Sequence, residues 1–143
     1  MPDVRKKIIS EKRRTYIIKV YNYANKVLTG TFQNAEEKEV YSFDSFTQLV
    51  LQIEHFMDGY NYPQASFQNR YFEETIEPVK PIHKNEMPLP KNAMATFTVK
   101  ILFRQSASWQ GFVGWEEKNK QKTFRSILEL AKLIDNALSG IHH

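Results

Sequence analysis

The chain has 143 residues, 41% apolar, 13% aromatic and 25% charged, so it can build a real core and is not disordered throughout. No apolar run approaches the roughly 18 residues of a membrane span. With no cysteine, disulfide scaffolds, thiol catalysis and thiolate zinc sites are excluded. The N-terminal residues lack the pattern of a secretory signal, and the expected compartment is the cytoplasm. The net charge of +4 is uneven. Arg5, Lys6, Lys7, Lys12, Arg13, Arg14 and Lys19 face only Asp3 and Glu11, so residues 1–20 carry +5 and the remainder −1. Residues 1–14 read as a basic arm, either a phosphate-contacting strap or a solvated terminus.

Sliding the chain on itself by 81 residues brings 15–59 onto 96–140 without a gap. Nine of the 45 pairs are identical, among them Lys19/Lys100, Gly30/Gly111, Phe43/Phe124, Ser45/Ser126, Leu49/Leu130 and Ile53/Ile134. Chance gives about 6% identity, or two to three matches. Each copy reads in the same order. An alternating strand (Tyr16–Tyr21 or Phe97–Phe103) precedes a second strand around Leu28–Asn34 or Trp109–Glu116 and a short third ending at Phe43 or Phe124. A helix follows, announced by Ser45 with Gln48, or Ser126 with Glu129, in capping-box spacing. Leu49, Ile53 and Met57, or Leu130, Ile134 and Leu138, supply one apolar face. Gly59 and Gly140 are expected to end the helices in the left-handed conformation. Mid-strand Gly30 and Gly111 are expected to make room for an aromatic neighbour.

The predicted fold is therefore α+β: a tandem duplication of a β-β-β-α unit, with antiparallel sheets each carrying one packed helix and a pseudo-twofold between them. The repeats are 15–59 and 96–140, sharing one domain. The connection 60–95 holds a candidate strand at 65–72 and a Pro-rich linker at 73–92.

Catalytic patterns are missing. There is no glycine-rich phosphate loop, no nucleophile elbow and no metal-ligand spacing around His55, His83, His142 or His143. The terminal His142-His143 reads as native or as a tag remnant and is given no function. The carboxylate pairs Glu36-Glu37, Glu73-Glu74 and Glu116-Glu117 fall in turns or linker, and the helix-start serines are caps. No catalytic residue, metal or cofactor is expected.

The copies differ instead in what the second adds: Arg104, Gln105, Trp109, Gln110, Trp115 and Arg125, where the first has Tyr23, Ala24, Leu28, Thr29, Asn34 and Asp44. Trp109 matches apolar Leu28 and is expected in the core. Trp115 matches polar Asn34 and suits a core or a recognition surface equally. Arg125 opposite Asp44 is expected to form an ion pair across the pseudo-twofold. The run Arg104–Gly111, with Phe124-Arg125-Ser126 and Leu128-Glu129-Leu130, resembles a group of small uncharacterised bacterial proteins that carry no known activity. The β-β-β-α order also resembles double-stranded-RNA-binding domains and HicB-type antitoxins in topology. The RNA-binding resemblance implies a lysine cluster at the last helix start, where this chain has Ser126-Ile127-Leu128-Glu129.

The sequence thus points to a non-catalytic binding or regulatory module acting through protein–protein contact or self-association, including a homodimer. Its candidate residues are Arg104, Gln105, Gln110, Trp115 and Arg125. The alternative is nucleic-acid binding through Arg5, Lys6, Lys7, Lys12, Arg13, Arg14, Lys19 and Lys100. A small-molecule sensor built around Arg104, Gln105 and Trp115 is the third. No membrane partner is expected.

Overall fold

Two long alternating runs make the middle of the molecule. In the computed structural model, which describes residues 11–60, 92–105 and 108–140, they are β1 (Thr15–Ala24) and β4 (Ala95–Gln105), paired antiparallel. β2 (Val27–Asn34) and β3 (Tyr41–Phe43) extend the sheet on one side, β5 (Ser108–Trp115) and β6 (Lys120–Phe124) on the other. The result is one six-stranded sheet in the order β3-β2-β1-β4-β5-β6. α1 (Phe46–Tyr60) and α2 (Ile127–Ser139) complete an α+β fold. The expectation of separate sheets is corrected: backbone pairing of β1 with β4 fuses them, so neither three-stranded half keeps an inner edge. The candidate strand 65–72, the linker 73–91 and residues 1–10 lie outside the described residues.

Alternation decides which face is buried. Tyr16, Ile18 and Val20 on β1 and Phe97, Val99 and Ile101 on β4 point to the helices. Leu28, Phe32, Trp109 and Val113 join them, and the helices add Leu49, Ile53, Met57, Leu130, Ile134 and Leu138. One apolar cluster therefore runs across both halves.

The β1–β2 hairpin closes through Asn25 and Lys26, both left-handed, as a two-residue turn requires to follow strand twist. Its register and that of β4–β5 coincide at an offset of 81: Tyr16 pairs with Asn34 and Phe97 with Trp115, Val20 with Gly30 and Ile101 with Gly111. Each ladder then slips, between Val20 and Asn22 and between Ile101 and Phe103. The slip explains the two glycines. A Cβ on Gly30 would overlap the Lys19 carbonyl oxygen, and one on Gly111 the Lys100 carbonyl oxygen. The close neighbour is backbone at a bulge, not the expected aromatic ring.

Both helices start on their serines: Ser45 Oγ accepts from the Gln48 amide and Ser126 Oγ from the Glu129 amide, each at 3.0 Å. Gln48 reaches back to the Asp44 N–H, whereas Glu129 lies beside Arg125 at 4.0 Å. The expected Asp44–Arg125 pair does not form, because β3 and β6, which lead into these residues, are opposite edges of the sheet. The glycine stops also differ from expectation. α1 continues through Gly59 to Tyr60, and Gly140 is right-handed, its N–H bonding the Leu138 carbonyl.

Candidate binding groove

Where β5, β6 and α2 meet, an open groove of about 240 Å³ remains. Phe97 and Val113 form its floor, Leu133, Asn136 and Ala137 one wall, and Trp115, Lys120 and Lys122 the outer rim. The β5–β6 register places Lys122 beside Val113 and Lys120 beside Trp115 on the same face.

The corresponding place in the other half is filled. Displacing the groove residues by 81 gives Tyr16, Phe32, Tyr41 and Phe56 for Phe97, Val113, Lys122 and Ala137. Those four form an aromatic cluster: Phe56 stands edge-on to Tyr16 at 6.1 Å and to Tyr41 at 5.6 Å, and Phe32 stacks on Tyr41 at 5.3 Å. Burial raises the Tyr41 phenol pKa, and its bond to Glu39 raises it further. Three rings occupy what valine, lysine and alanine leave open.

Position 34/115 diverges in the same place. Asn34 is fully buried; its amide donates to the Arg13 carbonyl and its oxygen accepts from the Glu36 N–H, both at 2.9 Å. Trp115 is half-buried, tilted against Phe97 at 6.2 Å, with Lys118 6.0 Å above its ring. Its indole N–H is shielded from solvent and meets no acceptor among the described residues. A donor left unsatisfied and shielded at the rim of a groove gains an acceptor when a shift of the indole exposes it to an incoming group.

The charge at this rim is positive. Glu116 accepts from the Thr98 hydroxyl at 2.6 Å and Glu117 from the Thr96 N–H at 2.7 Å. The Glu117 carboxyl lies below its ordinary pKa: burial acts to raise it, and the Thr96 hydrogen bonds outweigh that effect. Lys118, Lys120 and Lys122 are left without an ion-pair partner among the described residues.

The remaining candidates scatter. Arg104 is buried, held by Asp58 at 2.8 Å and Glu54 at 3.3 Å on α1. Glu54 also accepts from the indole N–H of Trp109, which is in the core. This corrects the reading of Arg104 as a ligand contact: the bulge in β4 turns it inward, and its charge is spent joining the halves. Gln110 pairs with Phe103 in the ladder, and Gln105 closes the hairpin opposite Ser108. Arg125 is exposed, follows Phe124 at the end of β6 and is not part of the groove lining.

Apart from Arg14, the described members of the basic set divide between ion pairs and exposed side chains. Arg13 is bonded to Glu36 at 2.8 Å, Lys100 to Glu11, and Lys12 and Lys19 are exposed. Arg14 is half-buried, and Arg5, Lys6 and Lys7 lie outside the described residues. Among the described residues no group of three or more His, Asp or Glu gathers as for a metal, and no helix is long and apolar enough to cross a membrane.

Sequence reasoning missed Lys120, Lys122 and Ala137. The signal lay at the offset of 81, where three aromatic positions on one face are matched by small, basic or β-branched residues. Comparison with family models, curated proteins and solved structures finds no match to this chain.

Proposed function

We propose that this chain is a non-catalytic binding module, made by tandem duplication of a β-β-β-α unit, whose second copy opens a groove for a protein partner. Shared register at an offset of 81 supports the duplication. So does the central pairing, in which Ile17 faces Thr98, its own counterpart, as a pseudo-twofold requires. Contacts between the copies are reciprocal in the same sense. Tyr23 of β1 bonds Asp135 on α2, while Arg104 of β4 bonds Glu54 on α1, and both residues of each pair are displaced by 81.

One observation carries the functional reading: the Tyr41–Phe56–Phe32 packing of the first copy is replaced by an apolar hollow bordered by Trp115 and lysines. A hollow with an apolar floor, an aromatic rim and a free donor is the kind of pocket that takes an anchoring side chain from a partner. The lining has an apolar character suited to a side chain, and ion pairing of Arg13, Lys100 and Arg104 draws charge away from a phosphate-binding role.

The test uses the two indole N–H resonances of the intact, ¹⁵N-labelled chain. Peptides, single- and double-stranded oligonucleotides and planar aromatic acids are titrated at low and physiological salt. Peptides should shift the Trp115 indole signal and leave that of Trp109, bonded to Glu54, in place. Oligonucleotides shifting backbone signals at Lys12 and Lys19, with Trp115 unmoved, would replace this reading by the nucleic-acid one.

A further inference from the structure

The proposed groove lies against a sheet edge. β6 pairs with β5, and no other described strand pairs with its outer row of N–H and C=O groups, which is the row an added strand would use. Lys120 and Lys122 stand two residues apart on the face that borders the groove, about 7 Å apart along a strand. A segment added beside β6 would place side chains at alternate positions next to these two lysines. It would also carry one side chain over the hollow that an aromatic ring fills in the first copy.

We infer, resting on the binding-module reading, that the partner is an extended acidic segment that adds to β6 as a seventh strand, sets carboxylates against Lys120 and Lys122, and inserts an aromatic residue beside Trp115. On an antiparallel strand the recognition pattern is acidic-x-acidic-x-aromatic, the two acidic residues opposite Lys122 and Lys120 and the ring at the next alternate position, towards Trp115. Charge selects the segment, main-chain hydrogen bonds hold it, and the ring fills the hollow. Carboxylate or carbonyl oxygens of the segment supply the acceptor that the Trp115 indole lacks. Lysines on an open edge otherwise serve to repel a second copy of the same chain. An acidic strand reverses that repulsion, so one pair of residues excludes self and admits the partner.

The probe is the capped heptapeptide Thr-Glu-Thr-Glu-Thr-Phe-Thr, titrated into the full chain and followed at the Trp115 indole N–H. It should bind with a micromolar dissociation constant. Replacing its phenylalanine by alanine, or N-methylating the threonine amides beside it, should each weaken binding at least about tenfold. The variant K120E/K122E, changed only at exposed positions, should lose about tenfold for this peptide and recover it for the version with lysine in place of glutamate. Binding at Trp115 that is indifferent to charge reversal and N-methylation would overturn the acidic-strand inference while leaving the binding module standing. No response of Trp115 to any peptide, with a response to oligonucleotides or aromatic acids, would overturn both. If K120T/K122T makes the chain associate with itself while the peptide leaves Trp115 unmoved, the lysines only guard the edge, and the inference fails.

Discussion

Two places in this molecule share one frame and have opposite contents. In the first half, Tyr16, Phe32, Tyr41 and Phe56 pack ring on ring between the sheet and α1. In the second, the residues at the same offsets leave a groove between the sheet and α2. Most of the backbone frame is shared: hairpin register, bulge and serine cap recur in both halves. Side chains make the difference in the floor and wall, and at the rim β6 extends two residues further along its neighbour than β3 does. A well-packed counterpart inside the same molecule shows what the groove would look like if it served only stability, because packed interiors leave few voids of this size.

The contacts that cross between the halves are matched in position and unequal in kind. Arg104 is buried between Glu54 and Asp58, so removing its charge strands carboxylates beside the core. Arg104→Ala should cost about 3 kcal/mol, measured by denaturant unfolding, the largest effect among these changes. Its counterpart Tyr23→Phe should cost only about 1 kcal/mol, since Tyr23 and Asp135 share their contact with exposed Lys26. Equal penalties would mean that the two junctions are not different in kind.

The Tyr23 junction also has a pH signature. Burial first, and then the bond to Asp135, push the phenol up to about 12. A raised pKa in the folded state means stability held below the unfolded value, about 10, and lost as pH rises through about 12. Tyr23→Phe should flatten the stability curve in that window. Asp135 moves the other way: hydrogen bonds from Tyr23 and then Lys26 hold its carboxyl below the usual range. Its contribution is present above about pH 4 and falls away as acid protonates it.

Gly30→Ala and Gly111→Ala should each cost about 2 kcal/mol, because in both halves the added methyl meets a carbonyl that the bulge holds in place. Gly114→Ala is the control: its nearest neighbour is a Glu116 side-chain oxygen at 3.6 Å, and the change should stay within about 0.5 kcal/mol. Different costs at Gly30 and Gly111 would break the equivalence of the two frames. Ser45→Ala and Ser126→Ala should cost about 1 kcal/mol each by thermal unfolding.

The smallest effect on stability sharpens the comparison most at position 115. Trp115→Phe keeps a ring on Phe97 and removes a donor that has no acceptor among the described residues. Stability should change by less than about 0.5 kcal/mol, while peptide affinity falls several-fold.

What was legible in the sequence follows the range of the cause. Ser45 and Ser126 cap their helices through atoms three residues away, and alternation along β1 and β4 needs only the pleat, so both were readable locally. The glycine column was readable but its neighbour was not, since a bulge depends on how two strands pair. Arg104 misled because its exposure turns on a one-residue slip in β4 and on carboxylates some 50 positions away. The groove was hardest, being a shortage of side chain at positions that touch only once β5, β6 and α2 assemble. Its trace lay in Phe32, Tyr41 and Phe56 being matched by Val113, Lys122 and Ala137 at the offset of 81.

The most direct measurement is to give the groove back its ring. Ala137→Phe places at α2 the residue that α1 carries at the matching position, and both melting temperature and binding of the Thr-Glu-Thr-Glu-Thr-Phe-Thr peptide are then read on the intact chain. The account predicts unchanged or higher stability, by up to about 1 kcal/mol from apolar area covered, with peptide binding abolished. Retained peptide affinity with the new phenylalanine in place would contradict it, because the partner's anchor would then be seated somewhere else.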